Sequence, residues 1–109
     1  MKAIQKKKFR VPRKRISEFC RHWGVVEFSL FGSALRTDFR PDSDVDVLVT
    51  FSKEAQISLF DLVQMQLDLE NIFHRPVDLL EKDALENPFR KREILKTAQV
   101  IYAMNKVAD

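Results

Sequence analysis

Cysteine, glycine and long apolar runs are scarce in this chain of 109 residues. Its single cysteine, Cys20, excludes an internal disulfide framework and suits a reducing cytoplasm, and no Cys/His cluster of the zinc-binding kind is present. With only two glycines and 45% hydrophobic residues, the composition is that of a folded domain and not of a disordered chain. No apolar run is long enough to cross a bilayer and no signal peptide is visible, so we expect a cytoplasmic protein without a membrane partner.

The net charge of +3 is distributed unevenly along the chain. Residues 1–15 hold eight of the nineteen Lys and Arg and no acid, whereas residues 16–109 carry eleven basic and sixteen acidic groups, a balance of −5. We therefore predict a basic N-terminal arm at 1–11 and one folded domain at 12–109. The arm either contacts nucleic acid by counterion release or is a solvated tail, and its lack of interleaved aromatic residues favours the tail.

Hydrophobic periodicity predicts alternating helices and strands. The predicted elements are a helix at 12–23, a strand at 25–31, a short helix after Gly32, a strand at 44–51, a helix at 57–75, a strand at 76–81 and a last helix at 87–104. This order predicts an α/β (α+β) domain, a small mixed three-stranded sheet flanked by about four helices.

Two of the predicted helices have notable apolar patterns. In the helix at 57–75, Phe60, Met65 and Leu67 widen the apolar stripe, which predicts burial on more than one side. In the last helix, the residues predicted to face inward are Ile94, Leu95, Ala98, Ile101 and Tyr102.

Three aspartates interrupt strands that are otherwise apolar. Asp44 and Asp46 share one face of their strand, ~6.6 Å apart by strand rise, and Asp78 lies between Val77 and Leu79. If the two strands are neighbours, the three carboxylates meet, and like charges about 4 Å apart repel by about 4 kcal/mol near a protein surface. Such a cluster favours either protonated carboxyls or bound divalent cations, and all-oxygen ligands select Mg²⁺ or Mn²⁺ over Zn²⁺.

A Gly-Ser pair precedes these acids, between a strand and the predicted short helix. The backbone N–H groups of Gly32 and Ser33 are placed to face a phosphate, and Arg36 is placed to neutralise a triphosphate. Two Mg²⁺ ions can clamp the attacking and leaving oxygens of a phosphoryl displacement. Each motif is weak alone, so the prediction depends on their combination.

That combination resembles the nucleotidyltransferase fold shared with polymerase β, and in particular its minimal nucleotidyltransferases. The family motif is Gly-Ser, ten residues, then Asp-x-Asp, which here is Gly32-Ser33 followed by Asp44-Val45-Asp46. The resemblance spans roughly 25–102, including the sequence "RPVDLLE" around Asp78.

The resemblance implies a mechanism and a partner. Asp44 and Asp46 would bind two Mg²⁺ ions, Asp78 would bind the catalytic ion and serve as general base, and Gly32, Ser33 and Arg36 would hold ATP. Many minimal members are antitoxins encoded beside a HEPN-domain RNase toxin. They transfer AMP from ATP to a tyrosine of that toxin. The implied function is that of a protein adenylyltransferase in a type VII-like toxin–antitoxin pair with a hetero-oligomeric partner.

Two other functions compete with this one. The chain could be a catalytically weak module that masks a partner by binding, although its three intact acids argue against that. It could also modify a small molecule, although 109 residues leave no room for the added acceptor-binding domain that such relatives usually carry.

Overall fold

The computed structural model describes residues 11–32 and 44–104. Their elements are α1 (Arg13–Trp23), β1 (Val25–Phe31), β2 (Val45–Phe51), α2 (Leu59–Phe73), β3 (Val77–Glu81), a 3₁₀ turn (Lys82–Ala84), α3 (Pro88–Thr97) and β4 (Gln99–Ala103). No helix in these two ranges is both long and apolar enough to span a membrane. The predicted basic arm and the short helix after Gly32 fall almost wholly outside the described residues.

The four strands form one mixed sheet in the order β3-β2-β1-β4. β1 pairs antiparallel with β2 and with β4, whereas β2 and β3 run parallel. Parallel neighbours need a crossover connection, and α2 supplies it. The predicted mixed α/β architecture is confirmed, with four strands in place of the predicted three.

The additional strand replaces the second half of the predicted last helix. α3 ends at Thr97, because Ala98 has extended dihedrals (φ −65°, ψ 140°), and β4 then pairs with β1. The stretch from Gln99 to Ala103 is rich in β-branched and aromatic residues, which favour a strand. Of the five residues predicted to face inward on a helix, Ile94 is buried and Ala98 is half-buried, but Leu95 is 41% exposed. Ile101 and Tyr102 are half-buried on β4.

The main core lies between the sheet and the pair α1 and α2. From the helices it contains Ile16, Phe19 and Cys20 of α1 and Met65, Leu69, Ile72 and Phe73 of α2. From the sheet it contains Val25, Phe28 and Leu30 of β1, Val45, Val47 and Val49 of β2 and Val77 of β3. Val45, Val47 and Val49 are completely buried on this side, as the strand alternation predicts.

Local sequence fixes the ends of the helices. α1 ends before Gly24, whose backbone adopts the left-handed conformation (φ 75°) and whose N–H donates a hydrogen bond to the Cys20 carbonyl. α2 starts with a capping box in which the Ser58 hydroxyl accepts from the Asp61 N–H and the Asp61 carboxylate accepts from the Ser58 N–H. In α3, the Asn87 side chain caps the backbone of Phe89.

A smaller apolar cluster occupies the opposite face of the sheet. Phe31, Leu48 and Ile94 form its buried part, with Leu80, Leu85 and Ala98 packed against them. Asp46 shares its strand face with Leu48, and Asp78 shares its face with Leu80. The acids therefore lie beside this cluster, on the face of the sheet that α3 covers only in part.

Candidate active site

Asp46 and Asp78 are register partners on the parallel strands β2 and β3. Partners on adjacent strands lie about 4.8 Å apart and project from the same face of the sheet. Asp46 is half-buried and Asp78 is exposed. The sequence-based expectation that these two strands are neighbours is therefore met, and it brings two of the three predicted acids together.

Asp44 lies one residue before β2 and is exposed. The next residue, Val45, donates its N–H to the carbonyl of Pro76 at 2.9 Å, which aligns the beginnings of β2 and β3. Because side chains alternate along an extended chain, Asp44 and Asp46 point to the same side. All three acids thus lie at the end of the sheet where β2 and β3 begin.

Gly32 brings the end of β1 against the same carboxylate. Its φ is +66°, a conformation that side-chain-bearing residues rarely adopt, and a Cβ built on it would overlap Oδ2 of Asp46 and lie 3.1 Å from its Cγ. The pairing of Phe31 with Asp46 places Gly32 immediately beyond the last β1 position. Glycine is therefore required here both for its backbone conformation and for the space that Asp46 occupies.

The donor set matches a hard divalent cation in its chemistry. Carboxylate oxygens are the ligands that Mg²⁺ and Mn²⁺ prefer. Among the described residues, however, no three His, Cys, Asp or Glu side chains are gathered closely enough to hold a metal ion. Strand register and donor chemistry therefore fit such an ion, while the assembly of all three acids around it stays a prediction.

The other two predicted nucleotide-binding residues, Ser33 and Arg36, lie outside the described residues. The direct contact between Gly32 and Asp46 is a feature that the sequence does not predict. Only the antiparallel pairing of β1 with β2 brings these two positions together, and neither the Gly-Ser pair nor the Asp-x-Asp pair specifies that pairing.

The chain matches known proteins over most of its length. The model of the nucleotidyltransferase domain family matches residues 13–101. A protein of Methanocaldococcus jannaschii, provisionally named a protein adenylyltransferase, is 36% identical over 88 residues, which is 81% of this chain and 90% of the relative. Protein adenylyltransferase MntA of Thermococcus cleftensis is 34% identical over 83 residues, which is 76% of this chain and 82% of the relative.

Solved structures share the fold. One described provisionally as a minimal nucleotidyltransferase is 31% identical, with a TM-score of 0.66 over 80% of this chain and 86% of the other. A toxin–antitoxin structure with AMP-PNP superposes with a TM-score of 0.69 over 88% of this chain and 77% of the other, at 16% identity. A chain from the structure of a tri-AMPylated Shewanella oneidensis HEPN toxin in complex with an MNT antitoxin gives a TM-score of 0.61 over 84% of this chain and 70% of the other, at 14% identity. Below 25% identity the likeness establishes the fold alone.

Proposed function

This chain belongs to the nucleotidyltransferase domain family, and we propose that it transfers AMP from ATP to a tyrosine hydroxyl of a HEPN-domain RNase toxin. In that role it would be the cytoplasmic antitoxin of a type VII-like pair. The family match and the relatives named protein adenylyltransferases confirm the predicted enzyme class. The donor nucleotide, the acceptor, the cation and the residue roles belong to the proposal.

The observation that carries the proposal is the alignment of Asp46 with Asp78, with Gly32 packed on the Asp46 carboxylate. Two acids in register at a strand end repel each other, and a bound cation would offset that repulsion. A site that binds a cation and a triphosphate explains both the acids and the required glycine.

Asp44, Asp46 and Asp78 are the residues that would hold Mg²⁺. Bound there, the ion would neutralise phosphate charge and offset the repulsion among the carboxylates.

The proposed reaction is an in-line displacement at the α-phosphorus of ATP. The tyrosine oxygen forms the new P–O bond, the bond from the α-phosphorus to the leaving oxygen breaks, and pyrophosphate departs with that electron pair. The hydroxyl proton passes to the Asp78 carboxylate, whose exposed position leaves it open to an incoming acceptor. The backbone at Gly32 and Ser33, with Arg36, would hold the β- and γ-phosphates.

The proposed partner is supported by two features. One structure of the same fold comes from a complex of a tri-AMPylated HEPN toxin with an MNT antitoxin. Within the described ranges, Asp44 and Asp78 are also exposed at the end of the sheet where β2 and β3 begin, which would allow a protein acceptor to approach Asp78. A hetero-oligomer with the toxin follows from this account.

The test is to incubate the chain with ATP labelled at the α-phosphate, Mg²⁺ and a purified HEPN-domain toxin, and to follow label and mass on the toxin. We expect AMP on a toxin tyrosine and loss of toxin RNase activity. Omitting the divalent cation, or supplying label in the γ-phosphate, is expected to leave the toxin unlabelled. Label on a small molecule added in place of the toxin would favour the small-molecule alternative.

The variant Asp44→Ala/Asp46→Ala separates chemistry from masking. Loss of both labelling and neutralisation supports catalysis, whereas neutralisation without labelling supports a module that acts by binding alone. Asp83→Asn is the matched control, because Asp83 is an exposed aspartate on the 3₁₀ turn after β3.

The predicted division into an arm at 1–11 and a domain at 12–109 is retained in the proposal. If the arm binds nucleic acid, deletion of residues 1–11 will remove a salt-dependent component of binding and leave α1 intact. Unchanged salt dependence after the deletion will identify the arm as a solvated tail.

A further inference from the structure

One residue of α2 fixes the corner between this helix and β3. Glu70, in the last turn of α2, accepts the N–H of His74 on its backbone carbonyl at 2.7 Å and the N–H of Val77 on its carboxylate at 3.3 Å. His74 has a left-handed backbone (φ 60°), which turns the chain from the helix back toward the strand. An acid in the last turn of a helix is disfavoured by the negative end of the helix dipole, so helix stability alone does not account for Glu70.

The peptide group between Pro76 and Val77 is hydrogen-bonded on both of its sides. Its C=O accepts the N–H of Val45 on β2 at 2.9 Å, and its N–H donates to the Glu70 carboxylate. The C=O and N–H of a trans peptide point in opposite directions, and no peptide bond among the described residues is cis. In the described sheet β3 is an edge strand with β2 as its neighbour, so this N–H points outward from the edge. Glu70 therefore provides, from a helix, the acceptor that a further strand would provide.

Asp78 follows this peptide group directly and is held in the same register. Val45 is opposite Val77, and Asp46 is opposite Asp78. Fixing the backbone at the first pair therefore fixes the placement of the two acids at the second pair. Val77 is buried and Asp78 is exposed, so the backbone is anchored inside the molecule while the carboxylate that follows it faces outward.

We propose that Glu70 is a positioning residue of the candidate active site. Its carboxylate holds the peptide group before Asp78 and so sets the placement of Asp78 relative to Asp46. The inference rests on the proposed function, in which Asp78 receives the proton of the acceptor hydroxyl. The effect passes through the backbone, so Glu70 needs no contact with ATP or with the acceptor. Because a displacement of about 1 Å can slow a reaction about 100-fold, such an anchor affects the rate of AMP transfer.

The test compares Glu70→Leu with Glu70→Gln. Leucine has a similar size but no hydrogen-bond acceptor, whereas glutamine keeps a side-chain oxygen for the Val77 N–H. Single-turnover transfer of labelled AMP to a purified HEPN-domain toxin is measured, together with the KM for ATP. We expect Glu70→Leu to slow the transfer at least about tenfold with less than about a threefold change in KM, and Glu70→Gln to stay within about threefold of the wild-type rate.

Asp68→Leu is the matched control on the same helix. Asp68 is also half-buried, and its carboxylate accepts from the indole of Trp23 on α1 and from the amide of Gln64. Its loss destabilises the contact of α2 with α1 and not the corner before β3. At a temperature where circular dichroism shows every variant folded, we expect Asp68→Leu to transfer AMP within about twofold of the wild-type rate.

Amide hydrogen exchange followed by NMR tests the anchor without any reaction. Relative to the amides of β1, we expect Glu70→Leu to speed exchange at Val77 and also at Val45, which is bonded to the other side of the same peptide group. Glu70→Gln should restore the protection of both amides, and Asp68→Leu should leave both at the wild-type ratio.

Four results would overturn the positioning role: a wild-type transfer rate in Glu70→Leu, equal slowing in Glu70→Leu and Asp68→Leu, no recovery of the rate in Glu70→Gln, or unchanged exchange at Val45 in Glu70→Leu. The second would identify general destabilisation of α2 as the cause. The third would assign the effect to the charge and not to the hydrogen bond. A wild type that transfers no AMP would instead contradict the proposed function, and exchange at Val45 would still decide whether Glu70 holds β3 on β2.

Discussion

The backbone of Gly32 lies against the side chain of Asp46, so closely that a methyl group on Gly32 would overlap the carboxylate. This contact ties the end of β1 to the start of β2 at the position where Asp78 is in register. It couples the backbone conformation of Gly32 to the placement of Asp46, a proposed metal ligand.

Replacement of Gly32 by alanine is expected to displace the Asp46 carboxylate. We predict that Gly32→Ala lowers the rate of AMP transfer by about 100-fold, since small displacements of reacting groups have effects of that size. Gly24→Ala is the matched control, because Gly24 also has a positive φ (+75°) and its added Cβ would lie 3.1 Å from the Cβ of Ala55. Both variants should lose about 1 kcal/mol or more of stability. Equal rates of AMP transfer in Gly32→Ala and Gly24→Ala would contradict the coupling between Gly32 and the Asp46 carboxylate.

Burial of Cys20 predicts a stability loss at high pH. Desolvation raises the pKa of the Cys20 thiol from 9.0 to about 12, against a smaller lowering by the charge of Arg21. In the folded chain the thiol then stays protonated, whereas in the unfolded chain it ionises above its ordinary pKa, so stability falls as pH rises through this window. Relative to Cys20→Ala, we expect a fall of up to about 1.4 kcal/mol per pH unit.

Urea unfolding of wild type and Cys20→Ala at about pH 8 and about pH 10 measures this effect. The comparison with the variant removes the pH dependence that both proteins share and leaves the contribution of the Cys20 thiol. A difference in unfolding free energy between the two proteins that does not change with pH would refute the prediction.

The capping box of α2 gives a prediction about stability alone. Ser58→Ala removes the acceptor for the Asp61 N–H at the helix start, and we expect it to lower the free energy of unfolding by about 1 kcal/mol. Ser17, in the middle of α1, only accepts an exposed hydrogen bond from Arg21, so Ser17→Ala should change stability by less than about 0.5 kcal/mol. Chemical denaturation of both variants checks the difference, and equal losses would mean that the cap contributes little.

The sequence predicts the fold correctly where the local pattern of apolar residues and the tertiary structure favour the same type of element. β1 spans Val25–Phe31 as predicted, and strict alternation along β2 places its three valines on one side, where all three are buried. β4 was missed because the apolar residues from Ile94 to Tyr102 also fit a helical spacing, and no glycine or proline separates α3 from β4. Pairing with β1 decides in favour of the strand, and pairing is a tertiary property.

In the candidate site, too, the residue pattern predicts one part and tertiary pairing decides the other. The types and spacing of Asp44, Asp46 and Asp78 are visible in the sequence, but their meeting depends on the parallel pairing of β2 with β3. The exposure of Phe60 and Leu67 was not predicted, because a periodicity identifies apolar faces without showing whether the chain itself covers them.

The central claim is that Asp46 and Asp78 act as one unit in AMP transfer, and single-turnover transfer of labelled AMP to the toxin tests it most directly. We predict that Asp46→Asn and Asp78→Asn each slow the transfer by at least about 100-fold, and that the double variant is no slower than the worse single one, as for residues that work together. Asp83→Asn, on the nearby 3₁₀ turn, should keep the wild-type rate. An Asp78→Asn rate within a few-fold of the Asp83→Asn rate would contradict the account.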